Sequence, residues 1–355
     1  MPAPAAAPLV SVCVVVHDGL RWLPGLLASV RAQDHADLEL LLLDAGSSDG
    51  SAAAITAAAA EDPRIRALPP GPNIGYAAGQ DRCINAARGA FLLLLNQDVE
   101  LAPGFLTAAL RAFAAHPEAA AVQGRILRLA GPGVRTATID TTGLVMGRDR
   151  RAWSRAQGAG DGPEHATAGT VWGADGPAPV LRRAALADAR LPGRDGPELL
   201  DADFFMYKED VDLAWRLHRL GWVTRYVPDA CAWHARTAAG SGQGWRAAAA
   251  GSRALPPAIR ALSWRNQRLM QVKNDPLGAV VRDLPAIVGR EVAELGWLLV
   301  RDPRRLGAAG GLVRLLPRAL AKRRALARAV RARRGASREA PPGAAGPPGR
   351  APCRR

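Results

Sequence analysis

Acidic side chains recur in this chain at the points where apolar runs end, and three of those points could carry chemistry. The run Leu9–Val16 stops at His17-Asp18-Gly19, and the run Leu38–Leu43 stops at Asp44-Ala45-Gly46-Ser47-Ser48-Asp49-Gly50. Carboxylates and hydroxyls such as Asp18, Asp44, Ser47 and Asp49, set at strand ends, can accept hydrogen bonds from a base and a ribose. An alternative role for Ser47, Ser48 and Asp49 is to cap the helix that follows. Asp98 closes the run Phe91–Leu95 in Asn96-Gln97-Asp98, where a carboxylate can hold a hard divalent cation, with Asn96 two residues earlier on the same side. A plain turn is the competing explanation there. The third point is Phe204-Phe205-Met206-Tyr207-Lys208-Glu209-Asp210-Val211-Asp212-Leu213-Ala214-Trp215-Arg216. Acids at a helix start also suit the macrodipole. An aromatic lead-in, however, would shield Glu209 or Asp210 from water and raise its pKa toward that of a general base. His234, after Cys231-Ala232-Trp233, is either a packing histidine or a metal ligand, and imidazole would favour manganese over magnesium.

The elements needed to position these groups are legible as periodicity. Leu9–Val16 and Leu38–Leu43 read as strands, with Trp22, Leu23, Leu26, Leu27 and Val30 at helical spacing between them. An Ala-rich helix to about Ala60, a turn at Gly71–Tyr76 opening another helix, the strand Phe91–Leu95 and a helix to about Ala115 continue the alternation. This order predicts a mostly parallel α/β sheet with covering helices and a ligand site at the carboxyl ends of its strands. Loops and a short antiparallel extension are expected between Gly131 and Gly176, then a helix at Tyr207–Leu220 and a short strand at Trp222–Pro228.

Charge divides the chain. Residues 241–355 hold 24 Lys and Arg against 6 Asp and Glu, so of the net +15 the tail carries +18 and residues 1–240 carry −3. Residues 241–334 read as basic amphipathic helices broken at Pro256-Pro257, Pro276, Pro285, Pro303 and Pro317, and residues 335–355 as a disordered tail rich in Gly, Pro, Ala and Arg. The basic helices could lie on an anionic membrane through Trp264, Trp297, Leu298, Leu299 and Leu315, or could pack on the front domain. Cys13, Cys83, Cys231 and Cys353 have no C-x-x-C spacing, which argues against a disulfide framework or zinc cluster. Neither a signal peptide nor a spanning helix is visible, so a cytoplasmic location is expected, with the inner face of the plasma membrane as the alternative. Specific nucleic-acid recognition is not expected, because the basic tail carries no nucleic-acid motif.

Val12–Gly19, Asp44–Ser51, Asn73–Gly79, Leu92–Asp98, Gly173–Arg183 and Phe205–His234 occur in the order of the blocks of family 2 of the inverting glycosyltransferases. The chain resembles in particular the bacterial rhamnosyl- and galactofuranosyl-transferase-like branch. The resemblance implies a Rossmann-like GT-A catalytic domain over residues 1–240. It implies a nucleoside-diphosphate sugar donor, with deoxythymidine diphosphate rhamnose first and uridine diphosphate sugars second, a glycan or lipid-linked acceptor, and Mn2+ or Mg2+. Asp44 corresponds to the acid that contacts the base, Asn73 and Gly75 to the donor loop, Asp98 and His234 to metal ligands, and Asp210 to the catalytic base. Arg182 and Arg183, with Trp172 beside their block, are placed on the acceptor side.

This chain departs from the pattern at three places. His17-Asp18-Gly19 replaces the commoner Asn-Tyr-Asn, Ala45-Gly46 replaces Asn-Ala, and Asn96 stands where many members carry the first Asp of the metal motif. The family's processive Q-x-x-R-W element is absent, so a single sugar addition is expected rather than polymer synthesis. A non-catalytic sugar-nucleotide binder and a nucleic-acid-binding accessory protein are the competing classes.

Overall fold

A computed structural model describes residues 8–236 and 256–339. Its elements are β1 (Val10–Val16), α1 (Leu23–Arg31), β2 (Leu38–Asp44), α2 (Ser51–Glu61), β3 (Ile65–Leu68), α3 (Tyr76–Ala86), β4 (Phe91–Leu94), β5 (Val99–Leu101) and α4 (Phe105–Ala115). Then come β6 (Ala119–Gly131), β7 (Val134–Thr141), β8 (Leu144–Met146), β9 (Ala152–Ser154), β10 (Gly169–Val171), β11 (Val180–Arg182), α5 (Arg183–Ala189), β12 (Leu191–Pro192), β13 (Pro197–Glu198), α6 (Glu209–Arg219) and β14 (Val223–His234). Three helices follow: α7 (Pro257–Asn274), α8 (Leu277–Arg301) and α9 (Ala308–Glu339).

The main sheet runs β10-β14-β6-β11-β4-β1-β2-β3. β1 pairs in parallel with β2 and β4, β2 with β3, and β14 with β6, while β11 enters antiparallel between β4 and β6. Strand residues buried on both faces explain the continuous apolar runs. Val10, Val12, Val14 and Val16 pack with α1 and α4 on one face, and Cys13, Val15, Leu41 and Leu43 pack with α3 and α6 on the other. Because β1, β2, β3 and β4 are parallel, the turns that follow them share one edge, which is where the sequence placed its acids.

Several expectations are corrected. β14 continues past Pro228 to His234, because the register slips between Val227 and Cys231 and a bulge accommodates the proline. Pro285 and Pro317 lie inside α8 and α9 without breaking them. Pro285 is exposed, as is Val281 one turn before it, so solvent can satisfy the carbonyl that loses its partner. α9 continues beyond Arg334 to Glu339, so the tail does not begin at residue 335; the segments 237–255 and 340–355 lie outside the described residues. Cys13 and Cys83 are buried free thiols and Cys231 is a half-buried one, while Cys353 lies outside the described residues.

α7 and α9 pack on the front domain rather than standing free. Trp264, Leu298 and Leu315 are at most 9 % exposed, and Leu269, Met270 and Leu315 share a cluster with Phe204, Val211 and Trp215. Charge fixes that packing more specifically than apolar contact does. The fully buried Lys273 of α7 pairs with Asp201 and, at 2.8 Å, with Asp212 of α6, while Arg216 meets the other Asp212 oxygen at 3.0 Å. Lys322 of α9 reaches Asp201, Glu198 at 2.6 Å and Asp203 at 3.0 Å. Burial alone would raise the pKa of Asp201, but Lys273 and Lys322 hold it well below the usual range.

Removing one partner from such a set leaves uncompensated buried charge. Lys273→Met should therefore lower the unfolding free energy by about 3 kcal/mol. Denaturant titration measures this as a fall in midpoint at constant slope, and a loss under about 1 kcal/mol would show that water takes over the role of the lysine.

Candidate active site

The first two turns are locked together by most of their own polar groups. Ser47 Oγ accepts from the Asp18 amide at 3.0 Å, and Asp18 Oδ1 accepts from the Ser48 amide at 2.7 Å. Asp49 takes hydrogen bonds from the Leu20 amide at 2.8 Å and from the Ser51 amide at 3.0 Å. Asp18, Ser47 and Asp49 thus hold β1's turn to β2's turn. Asp44 differs: Oδ2 accepts from the Gly46 and Ser47 amides, each at 3.2 Å, but Oδ1 is buried with no hydrogen-bond partner among the described residues. An unpaired, nearly buried acceptor at a strand end is open to a donor from a ligand.

The turn after β3 lies beside this pair. Asn73 Oδ1 accepts from the Gly75 amide at 2.9 Å, and Gly75 adopts φ 86°. A Cβ on Gly75 would stand 2.4 Å from the Phe205 carbonyl oxygen, so glycine is what lets the donor-loop candidate touch the segment leading into α6.

At the end of β4, Gln97 rather than Asn96 ties the turns, accepting from the His17 amide at 2.9 Å. The Asn96 amide donates to the Pro177 carbonyl at 2.9 Å, leaving its half-buried side chain at the same edge. Antiparallel pairing of β5 with β14 sets His234 opposite Val99, beside Asp98. His234 Nε2 lies 3.3 Å from Asp98 Oδ1, and His234 Nδ1 lies 2.8 Å from Asp140 Oδ2. Burial would lower the imidazole pKa, but Asp98 and Asp140 on either side push it up to about 9.

The polar line continues. Arg236 pairs with Asp140 at 2.5 Å and with Asp175 at 3.9 Å, and its charge reaches Asp210. Asp210 Oδ2 accepts from the Gly176 amide at 3.2 Å and Oδ1 from its neighbour Val211 at 2.7 Å. Asp98, His234, Asp140, Arg236, Asp175 and Asp210 therefore form one connected set at the carboxyl edge of the sheet. Glu209 and Asp210 help to line a largely apolar cavity with Tyr76, Leu94, Leu213 and Ala214. Burial, followed by the charge of Asp175, pushes Asp210 up to about 6; burial, followed by Asp210, pushes Glu209 up to about 8.

The lead-in to α6 is strained. Phe205, Tyr207 and Lys208 all have positive φ, at 66°, 70° and 77°, a conformation that costs a non-glycine residue about 1–3 kcal/mol. Asn266 of α7 compensates by donating from Nδ2 to the carbonyls of Phe204, Met206 and Tyr207, each at 2.9 Å.

A cation at Asp98 and His234 fits the donor set: the carboxylate and the imidazole Nε2 face each other, and Asp140 orients the ring from its far side as metal-bound histidines require. No group of three or more His, Cys, Asp or Glu side chains suited to a metal occurs among the described residues. Such an ion would complete its coordination with phosphate oxygens and water.

Arg182 and Arg183 are not at this edge. Arg182 is paired with Phe91 at the start of β4 and donates to the carbonyls of Ala119 and Phe113, each at 2.9 Å, and Arg183 donates to the Gly89 carbonyl at 2.5 Å. Both cap backbone at the amino end of the parallel strands, which corrects their expected acceptor-side position. Trp172 packs edge-on to Trp215, with ring centroids 6.3 Å apart, on the flank of α6. Sequence reasoning missed Asp140, Asp175 and Arg236. Asp140 had a signal, an acid inside the β-branched stretch Ile139-Asp140-Thr141-Thr142, whereas Arg236 and Asp175 had none beyond lying near His234 and in the Gly173–Arg183 block.

Comparison with known proteins gives the family and the fold. The family model for glycosyl transferase family 2 matches residues 11–187. The N-acetylglucosaminyl-diphospho-decaprenol L-rhamnosyltransferase of Mycobacterium tuberculosis is 31% identical over 244 residues, covering 62% of this chain and 73% of that protein. The O-antigen biosynthesis protein RfbC of Myxococcus xanthus is 37% identical over 115 residues, 32% of this chain and 9% of that one. Among solved structures, S. aureus TarS 1-349 superimposes with TM-score 0.53 at 17% identity, over 92% of this chain and 87% of that one. GalNAc-T7 with UDP, GalNAc and Mn2+ does so with TM-score 0.55 at 13% identity, over 75% of this chain and 48% of that one. The shared architecture is the GT-A fold, and the mycobacterial likeness extends over nearly three quarters of that enzyme: the chain belongs to glycosyl transferase family 2.

Proposed function

We propose that this glycosyltransferase moves a single sugar, rhamnose or a related hexose, from a nucleoside-diphosphate donor to a glycan or lipid-linked acceptor with inversion. The observation that carries the reading is the single polar set joining the Asp98–His234 pair to Asp210 through Asp140, Arg236 and Asp175. The mycobacterial relative is by its name a rhamnosyltransferase acting on a decaprenol-linked N-acetylglucosamine, which favours a rhamnosyl donor and a lipid-linked acceptor here.

Asp44 Oδ1 is the acceptor for the donor's base, and the Asn73–Gly75 turn borders its sugar and phosphates. A cation at Asp98 and His234 would neutralise charge gathering on the departing diphosphate. Asp210 takes the proton of the acceptor hydroxyl as the oxygen bonds to the anomeric carbon; the bond from that carbon to the phosphate oxygen breaks, and its electron pair leaves with the diphosphate. Burial and neighbouring carboxylates raise both adjacent acids, Glu209 the further, so of the pair Asp210 is the one that gives up its proton first.

Three outcomes test this. Asp210→Asn should retain donor binding by thermal shift but lose about 10²–10⁴-fold in transfer, and near-normal turnover would remove Asp210 from the base role. A base must be deprotonated, so kcat/KM should rise with pH through a limb near 6. Asp175→Asn removes the negative charge that helps hold that limb up and should move it to lower pH; an unmoved limb would exclude this coupling. Asp140→Asn should weaken Mn2+ about 10–100-fold, read as the metal concentration giving half-maximal activity, and unaltered metal dependence would rule out the Asp98–His234 site.

A further inference from the structure

α8 is inverted with respect to a helix of a soluble domain. Its acidic side chains face the protein: Asp283, 1 % exposed, pairs with Arg148 at 3.0 Å and Arg150 at 2.9 Å, and Glu291 and Glu294 pair with Arg268 of α7. The outward face is apolar, with Leu277, Val281, Leu284, Val288, Val292 and Leu295 spaced by three and four residues and 47–74 % exposed, and it continues through Leu299 to Val300. A stripe this long along a helix of about 37 Å is not left in water without a partner.

Charge selects the partner. Between residues 276 and 335 every exposed charged side chain is an arginine, among them Arg282, Arg301 and Arg304 beside the stripe, while the four acids Asp283, Glu291, Glu294 and Asp302 are all turned at least partly inward. A second copy would bring arginines against arginines. The chain's own segments outside the described residues supply only Met1, Trp245 and Leu255 as bulky apolar side chains, too few to cover the stripe. An apolar strip flanked by cations matches the headgroup boundary of an anionic bilayer, where valine and leucine enter the acyl region and arginines reach phosphate. No helix among the described residues is long and apolar enough to cross a membrane, so the fit is to lying along it.

We propose that α8 docks flat on an anionic phospholipid surface. Of the residues the sequence suggested, Leu299 lies on this face, whereas Trp264, Leu298 and Leu315 are buried. The inner face of the same helix is close to the cleft: Arg290 and Glu294 act electrostatically on Lys208, next to Glu209 and Asp210. Docking therefore holds the cleft near the bilayer, a consequence that rests on the lipid-linked acceptor proposed above, whereas docking itself does not.

The test is flotation of the full chain with vesicles of phosphatidylglycerol and phosphatidylcholine, compared with phosphatidylcholine alone and with no lipid. The wild type should float with the anionic vesicles and lose that association in high salt. The combined variant Val281→Glu, Val288→Glu, Val292→Glu and Leu295→Glu should float roughly tenfold less or worse, with its unfolding midpoint and donor-induced thermal shift unchanged. Exchange of the same four positions among Val, Ile and Leu should preserve flotation. A wild type that stays in the aqueous fraction, a glutamate variant that floats equally well, or a lipid-free wild-type dimer that the variant reduces to monomer by light scattering would each overturn docking. Because the readout is lipid association, its failure leaves sugar transfer intact, and loss of transfer in Asp210→Asn leaves docking intact.

Discussion

The constraint on which the rest of this molecule depends is the crowding of four carboxylates, Asp98, Asp140, Asp175 and Asp210, around the His234 imidazole and the Arg236 guanidinium, with Arg128 3.8 Å from Asp140 and the charge of Lys208 reaching Asp210. Desolvated acids are expensive unless paired, and here the pairing is incomplete by design of position: Asp175 Oδ2 and Glu209 Oε2 are buried without a hydrogen-bond partner among the described residues. The shortfall falls on Asp210 and Glu209, whose protons are retained to higher pH, while Asp140, between His234 and Arg236, is held below the usual range despite its burial. Under the proposed assignment, one cluster thus keeps an acid ionised for orienting a histidine and another tuned for proton transfer, the division of roles that neighbouring carboxylates produce when their surroundings differ.

Holding Asp210 in that cluster requires backbone that is unfavourable by itself. Three left-handed residues in the four before Glu209 aim α6 into the cleft, and the chain that restrains them comes from beyond residue 255. Asn266 secures the carbonyls of the strained turn, and Lys273 and Asn274 grip Asp212, the fourth residue of α6. The C-terminal helices are in this sense part of the catalytic framework: strain at the cleft is sustained by ion pairs and amide contacts that the front domain does not supply alone.

These relations explain what was legible in the sequence. Strand runs such as Val10–Val16 and the acids ending them are local patterns, and parallel topology then forces their turns to one edge, so Asp44 and Asp98 could be singled out before any fold was known, as could Asp210 from the aromatic run that leads into α6. Asp140 and Arg236 acquire meaning only through pairing across the sheet, which no local spacing reveals. The error over Arg182 and Arg183 has the same origin, because β11 enters antiparallel and its carboxyl end lies at the amino end of β4. Pro285 and Pro317 misled for another reason: tertiary contacts and solvent on an exposed face outweigh a missing hydrogen bond.

Asn96 in place of a carboxylate fits this electrostatic picture. A further acid beside Asp98 would add negative charge where carboxylates already crowd one another, raising the cost of each neighbouring one. Under the proposed assignment the chain supplies only Asp98 and His234 as ligands, so the ion is held weakly until phosphate oxygens complete its shell. Metal and donor then stabilise one another by the same factor in each direction, since binding free energies are reciprocal. On that assignment the missing carboxylate does not make the site degenerate: it would transfer part of the metal's coordination to the substrate and make occupancy of the cleft conditional on the group that is to leave.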